Sequence, residues 1–108
     1  MEKQYTIHDL TPSSPIHPGE MLKDELQARG ISQRKFAEII GMPYTALNEL
    51  VNGKRNITTD TALKIEAATE IKAYIWMNMQ VAYNMQIAQK DSKLKLALEQ
   101  IRKSVAVF

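Results

Sequence analysis

Cysteine is absent, which removes disulfides, thiolate zinc sites and thiol nucleophiles from consideration. A reducing compartment suits such a chain. No apolar run approaches the length needed to span a bilayer, and the N-terminus lacks a basic region followed by an apolar stretch. The expectation is therefore a cytoplasmic protein with no membrane partner. Charge of one sign is also scarce: 14 Lys and Arg against 12 Asp and Glu leave a formal net charge of +2. General basicity thus gives no argument for nucleic acid, and any positive field must come from local placement of side chains.

Motifs that carry chemistry are missing as well. There is no glycine-rich phosphate loop, no HExxH and no nucleophile set beside a base, while paired acids such as Asp24-Glu25 suit a solvated helix face. The chain is not expected to be an enzyme. His8-Asp9, with His17 and Glu20, straddles prolines without any ligand spacing, so neither a metal nor another cofactor is expected.

What is present is a chain of 108 residues, 44% hydrophobic and 24% charged, enough for one core. Its most informative stretch is SQRKFAEIIGMPYTALNELVNGKR, Ser32 to Arg55. Ser32 precedes an apolar-periodic run and can accept a hydrogen bond from an orphan amide, so Gln33 opens a helix. Phe36, Ile39 and Ile40 are expected to face inward. Ala37 is small enough for a close helix crossing, and Gly41 four residues later can take the positive φ of a tight turn. Pro43 suits the first turn of a second helix, although neither it nor Met42 offers a capping oxygen. Leu47 and Leu50 anchor that helix, Asn52-Gly53 ends it, and Lys54 and Arg55 follow on an exposed loop. The pattern is a helix-turn-helix.

Once the core positions are removed, the second helix still presents Tyr44, Thr45, Asn48 and Glu49 on one outward stripe. In a major groove such a stripe reads bases: Asn pairs with adenine, Glu accepts from cytosine, and Tyr or Thr meets a base or a thymine methyl. Gln33, Arg34, Lys35, Lys54 and Arg55 are placed to meet the phosphate backbone. The bland alternative is two short helices that merely pack, as in many helical proteins. The joint presence of the Ala-Gly-Leu spacing, the Asn-Gly end and the basic pair favours double-stranded DNA.

Elsewhere, residues 1–16 mix polar residues with two prolines and form an N-terminal arm or loose cap, with Gln4 to His8 as an alternative short edge strand. A first helix runs from Pro18 to about Arg29, with Met21, Leu22 and Leu26 apolar, Glu20 in its first turn and Gly30 at its end. NITTDTALKIEAAT gives a fourth helix capped by Thr58, with Ala62, Leu63 and Ile65 inward; Asn56, Thr58 and Thr59 are taken as caps rather than DNA contacts. The segment AYIWMNMQVAYNMQIAQ is apolar on two sides, one carrying Trp76, Met79 and Tyr83, the other Met77, Val81 and Met85. A helix without a clean polar face is usually buried against two things. Met77, Val81 and Met85 are assigned to a dimer or partner surface, with complete internal burial as the alternative. Residues 90–108 form a C-terminal amphipathic helix, capped by Ser92, with Leu94, Leu98 and Ile101 on one stripe in need of a surface.

Ser32 to Arg55 resembles the phage-repressor and Cro type of helix-turn-helix. The wider run over about residues 17–85 resembles the HigA family of antitoxins. The residues that carry this second likeness are His17-Pro18-Gly19-Glu20, Asn52-Gly53-Lys54-Arg55, Ile57-Thr58, Asp60-Thr61-Ala62-Leu63 and Trp76-Met77-Asn78-Met79-Gln80. The resemblance implies an all-α, lambda-repressor-like domain of five core helices over 17–89. It also implies a homodimer that binds a palindromic operator in its own promoter and neutralises a partner toxin that cleaves messenger RNA. A plain helix-turn-helix repressor without a toxin partner would need the same residues. A module using the motif only to scaffold protein contacts is the other alternative, and the base-reading stripe with its flanking basic residues favours DNA over it. Between the fourth and fifth helices the family usually carries a Gly and a Ser-Pro pair, where this chain has Thr69-Glu70-Ile71-Lys72-Ala73.

Overall fold

The ends of the first two helices, and the start of the fourth, fall on residues suited to the job. The computed structural model describes residues 15–107, in which six helices follow in order: α1 Pro18–Arg29, α2 Gln33–Ile40, α3 Tyr44–Val51, α4 Thr59–Thr69, α5 Ala73–Gln89 and α6 Ser92–Val105. The N-terminal arm expected over 1–16 falls almost wholly outside the described residues. Ser32 caps α2 by accepting from the Lys35 amide, and Thr58 caps α4 by accepting from the Thr61 amide. Gly30 and Gly41 end α1 and α2 at a φ of 68° each, the left-handed region where a side chain would be strained. Pro43 stands at the N-cap of α3 rather than inside it and makes no side-chain cap bond.

Burial welds α1 to α4 and the first half of α5 into one core. Leu22, Leu26, Phe36, Ala37, Ile40, Leu47, Leu50, Val51, Ile57, Ala62, Ile65 and Trp76 are its buried members. Trp76, Phe36, Leu22, Leu47, Leu50 and Ile65 lose essentially all solvent contact, worth about 1.5–3 kcal/mol for each large apolar side chain. Ile39 and Leu63 depart from expectation, being 54% and 53% exposed. On α2 the buried arc is set by Phe36, Ala37 and Ile40, and on α4 by Ala62, Ile65 and Thr69; at about 100° per residue, Ile39 lies about 60° and Leu63 about 100° outside those arcs.

The joint between α4 and α5, which has no helix breaker in its sequence, is made by side chains. Glu70 turns the chain at a φ of 66°, a left-handed value otherwise confined to glycine among the described residues. Thr69 Oγ1 donates to the Ile65 carbonyl at 2.7 Å and accepts from the Ile71 amide at 3.2 Å. Glu66 Oε1 accepts from the Ala73 amide at 2.6 Å, supplying α5 with the capping oxygen that Lys72 lacks. From α1, Arg29 donates to the Thr69 carbonyl at 2.9 Å. Three side chains thus hold a turn that backbone propensity alone would not.

α6 is different in kind. Its cap is Asp91, not Ser92: the carboxylate accepts from the Lys93 and Leu94 amides, and Ser92 becomes the first helical residue. No residue of α6 is buried. Among the described residues no helix is long and apolar enough to cross a membrane, and no group of three His, Cys, Asp or Glu residues converges on a metal position.

Candidate nucleic-acid interface

α3 is fixed from below and behind. Ala46, Leu47, Leu50 and Val51 bury one face of the helix, so its opposite edge must stay at the surface. From behind, the N-terminus of α1 presses on its last turn: a Cβ on Gly19 would overlap the Leu50 carbonyl oxygen, so only glycine permits this approach. His17, directly before it, is buried. Its Nδ1 accepts from the Gly19 amide at 2.9 Å, which caps α1, while its ring meets Tyr83 edge-on at 4.9 Å. Burial lowers the His17 pKa from its ordinary value, against the smaller opposing influences of the Arg55 backbone and the Glu20 charge.

The basic loop after α3 is held with equal care. The Lys54 amide donates to the Glu49 carbonyl at 2.8 Å, and Gly53 packs against the His17 side chain. Farther along, the buried Gln80 of α5 accepts from the Ile57 amide at 2.7 Å through Oε1 and donates through Nε2 to Asn56 and Asn84. A buried amide left without that acceptor would cost about 1–3 kcal/mol. His17 and Gln80 are therefore positioning residues for the loop. Sequence reasoning named Gln80 and His17 only among the residues that carry the family likeness, and weighed His17 besides as a metal ligand, without giving either this role; a polar residue inside the apolar run of α5 was the available signal.

On the outer edge of α3, Thr45 is exposed, Asn48 and Glu49 are half-exposed, and Tyr44 is half-buried against the core. Three of these four are engaged by three of the five residues assigned to phosphates. Asn48 Nδ2 donates to Gln33 Oε1 at 3.0 Å. The Arg34 guanidinium lies 4.1 Å from the centroid of the Tyr44 ring. Arg55 Nη2 meets Glu49 Oε1 at 3.2 Å, with both side chains about half exposed. Lys35 and Lys54 extend into solvent with no ion pair among the described residues, on either side of α3. Asn52 Nδ2 donates to the Asn48 carbonyl at 2.8 Å and approaches its Oδ1 at 3.3 Å, so Asn52 helps to orient Asn48.

Of the residues assigned to a dimer or partner surface, Met77 packs against the core, whereas Val81 and Met85 are 55% exposed each.

A helical core that holds one short helix with its polar edge outward, flanked by basic side chains, defines a DNA-binding helix-turn-helix protein of the phage-repressor type. A family model described as Helix-turn-helix matches residues 22–76. Virulence-associated protein I of Dichelobacter nodosus is 38% identical over 79 residues, covering 72% of this chain and 73% of the relative. Antitoxin HigA-1 of Vibrio cholerae is 34% identical over 76 residues, covering 69% and 71% respectively. Among solved structures, the Pseudomonas aeruginosa antitoxin HigA with the higBA promoter superposes with a TM-score of 0.66 at 35% identity, covering 68% of this chain and 82% of that one. This chain belongs to the helix-turn-helix family, in the group that includes the HigA antitoxins.

Proposed function

We propose that the chain is an antitoxin that binds a palindromic operator as a homodimer, represses its own operon and neutralises a partner toxin that cleaves messenger RNA. α3 enters the major groove. Thr45, Asn48, Glu49 and the edge of Tyr44 meet bases, while Gln33, Arg34, Lys35, Lys54 and Arg55 meet phosphates on either side. The observation that supports this reading is the outer edge of α3, where Thr45, Asn48 and Glu49 stand at the surface, with Lys35 and Lys54 exposed before and after the helix. The promoter complex of the Pseudomonas aeruginosa relative supports it. Dimerisation is supported by the exposed Val81 and Met85, and two-fold symmetry then sets the half-sites about 34 Å apart. The toxin partner rests on kinship with the antitoxins.

The test uses a fragment of the chain's own promoter and a scrambled fragment of equal length. Asn48→Ala should narrow the difference in affinity between the two, by about 1–3 kcal/mol, by relaxing base preference at one position. Lys54→Ala, at an exposed cation with no ion pair among the described residues, should weaken both alike and reduce the salt slope by about 0.9. A chain in which both changes leave affinity untouched does not use this surface on DNA. For the second half of the proposal, co-expression with the product of the adjacent reading frame should yield a complex and suppress its ribonuclease activity; absence of both effects leaves a plain repressor.

A further inference from the structure

Glu49 sits on the face of α3 that would approach polyanionic DNA, where a bare carboxylate is repelled, yet its charge is not bare. Its Oε1 lies 3.2 Å from Arg55 Nη2. The loop that carries Arg55 is itself pinned to α3 and α5, through Lys54 N–H to the Glu49 carbonyl and through Gln80 to Ile57 and Asn56. The guanidinium is thus presented to Glu49 from a backbone that cannot drift. Because both side chains are about half exposed, the pair is one that solvent weakens: such ion pairs contribute about 0–1 kcal/mol, little enough for a phosphate to replace the carboxylate.

We infer that Glu49 is a specificity-determining residue that acts by withholding Arg55 from the DNA backbone until cytosine takes over the carboxylate. The inference rests on the DNA-binding reading above and adds to it an exchange of partners. On a site with cytosine opposite Glu49, the base amino group donates to the carboxylate and Arg55 swings to a phosphate, so the carboxylate keeps a hydrogen-bond donor and the guanidinium an anion. On any other sequence there are two poorer choices. Either Arg55 stays with Glu49 and a phosphate contact is lost, or Arg55 leaves and an unpaired carboxylate faces the backbone. Discrimination then comes from a penalty on wrong sites as much as from a gain on the right one.

Placement within the site separates this pair from its two neighbours. Asn48–Gln33 and Tyr44–Arg34 join neutral partners or a cation with a ring, so neither sets a negative charge against the duplex. Glu49 alone does so on the edge of α3.

The experiment measures binding of the full chain to its promoter fragment and to a scrambled duplex across a salt series, for wild type, Glu49→Gln, Arg55→Ala and the double variant. Glu38→Gln, on α2, reports the effect of removing one carboxylate that makes no ion pair among the described residues. Glu49→Gln should tighten scrambled DNA about three- to fivefold and steepen its salt slope by up to about 0.9, because Arg55 becomes free to displace a counterion. The ratio between promoter and scrambled affinity should shrink. In the Arg55→Ala background the same substitution relieves the bare carboxylate but frees no cation, so it should steepen the salt slope no more than Glu38→Gln does in wild type. An equal steepening of the salt slope by Glu49→Gln with and without Arg55 overturns the exchange, as does no gain at all on scrambled DNA. Wild-type chain that binds neither duplex overturns the DNA-binding reading itself, and this inference with it. Both side chains are half exposed, so thermal unfolding should match wild type for every variant.

Discussion

The helix-turn-helix and the C-terminal helices treat apolar surface in opposite ways. Along α2 and α3, Phe36, Ala37, Ile40, Leu47 and Leu50 are all buried, with Ile39 the exposed exception, and Asn48, Tyr44 and Glu49 find partners in Gln33, Arg34 and Arg55. Along the second half of α5 and all of α6, Val81, Met85, Ile87, Leu94, Leu96, Ile101 and Val105 remain substantially exposed. The first region holds a surface still, since a reading helix displaced by an ångström loses its hydrogen bonds to base edges. The second offers area that a single copy of the chain leaves uncovered, and exposed apolar patches of that kind mark association. α5 belongs to both: Trp76 and Gln80 work inside the domain, while Val81 and Met85 face away from it.

The sharpest way to break this division is at Trp76. It is fully buried where α5 meets the core, so Trp76→Ala should cost about 3–5 kcal/mol, seen as a lower denaturant midpoint with an unchanged slope. A loss below about 1 kcal/mol would mean that α5 is not part of the frame that supports α3.

A smaller effect should come from acid. The folded chain holds His17 neutral below its ordinary pKa, whereas the unfolded chain protonates it near 6.5. The contribution of the neutral ring is therefore fully present above about pH 6.5 and declines as pH falls below it, with a slope no steeper than about 1.4 kcal/mol per pH unit. Protonation would also convert the Nδ1 acceptor of the Gly19 amide into a donor. His17→Asn keeps a capping oxygen and should remove this part of the pH dependence, measured by denaturation between pH 7 and 5. An unchanged profile would place the titration elsewhere.

The smallest effect on stability, and the one that sharpens the contrast most, is expected at the other end. Ile101→Ala and Val81→Ala remove side chains that are more than half exposed, so each should shift the unfolding free energy of the monomer by no more than about 0.5 kcal/mol. Sedimentation of the double variant should nevertheless show weaker self-association than wild type. Equal association would assign this apolar surface to something other than a second copy.

Some of this architecture is legible in the chain because it is local. Ser32 and Thr58 cap with their own side chains, Gly30 and Gly41 supply positive φ, and the Leu47 and Leu50 spacing marks the buried side of α3. Where two local solutions compete the chain is ambiguous: Asp91 and Ser92 can each cap α6, and the carboxylate wins by reaching two amides. Ile39 and Leu63 look like core residues because their helices are apolar nearby, but which arc is covered depends on where a neighbouring helix lies.

Amino-acid order by itself determined the helices, the turn between α2 and α3, and which side chains stand at the outer edge of the second of these, because caps, φ preferences and periodicity act over a few residues. Tertiary structure alone decided that Gln33 would hold Asn48, that Arg55 would meet Glu49, that Gln80 would fasten the basic loop, and that Thr69, Glu66 and Arg29 would replace an absent breaker at Glu70. Those contacts join residues whose separation along the chain carries no periodic signal. They form only after burial of the core has brought the helices together.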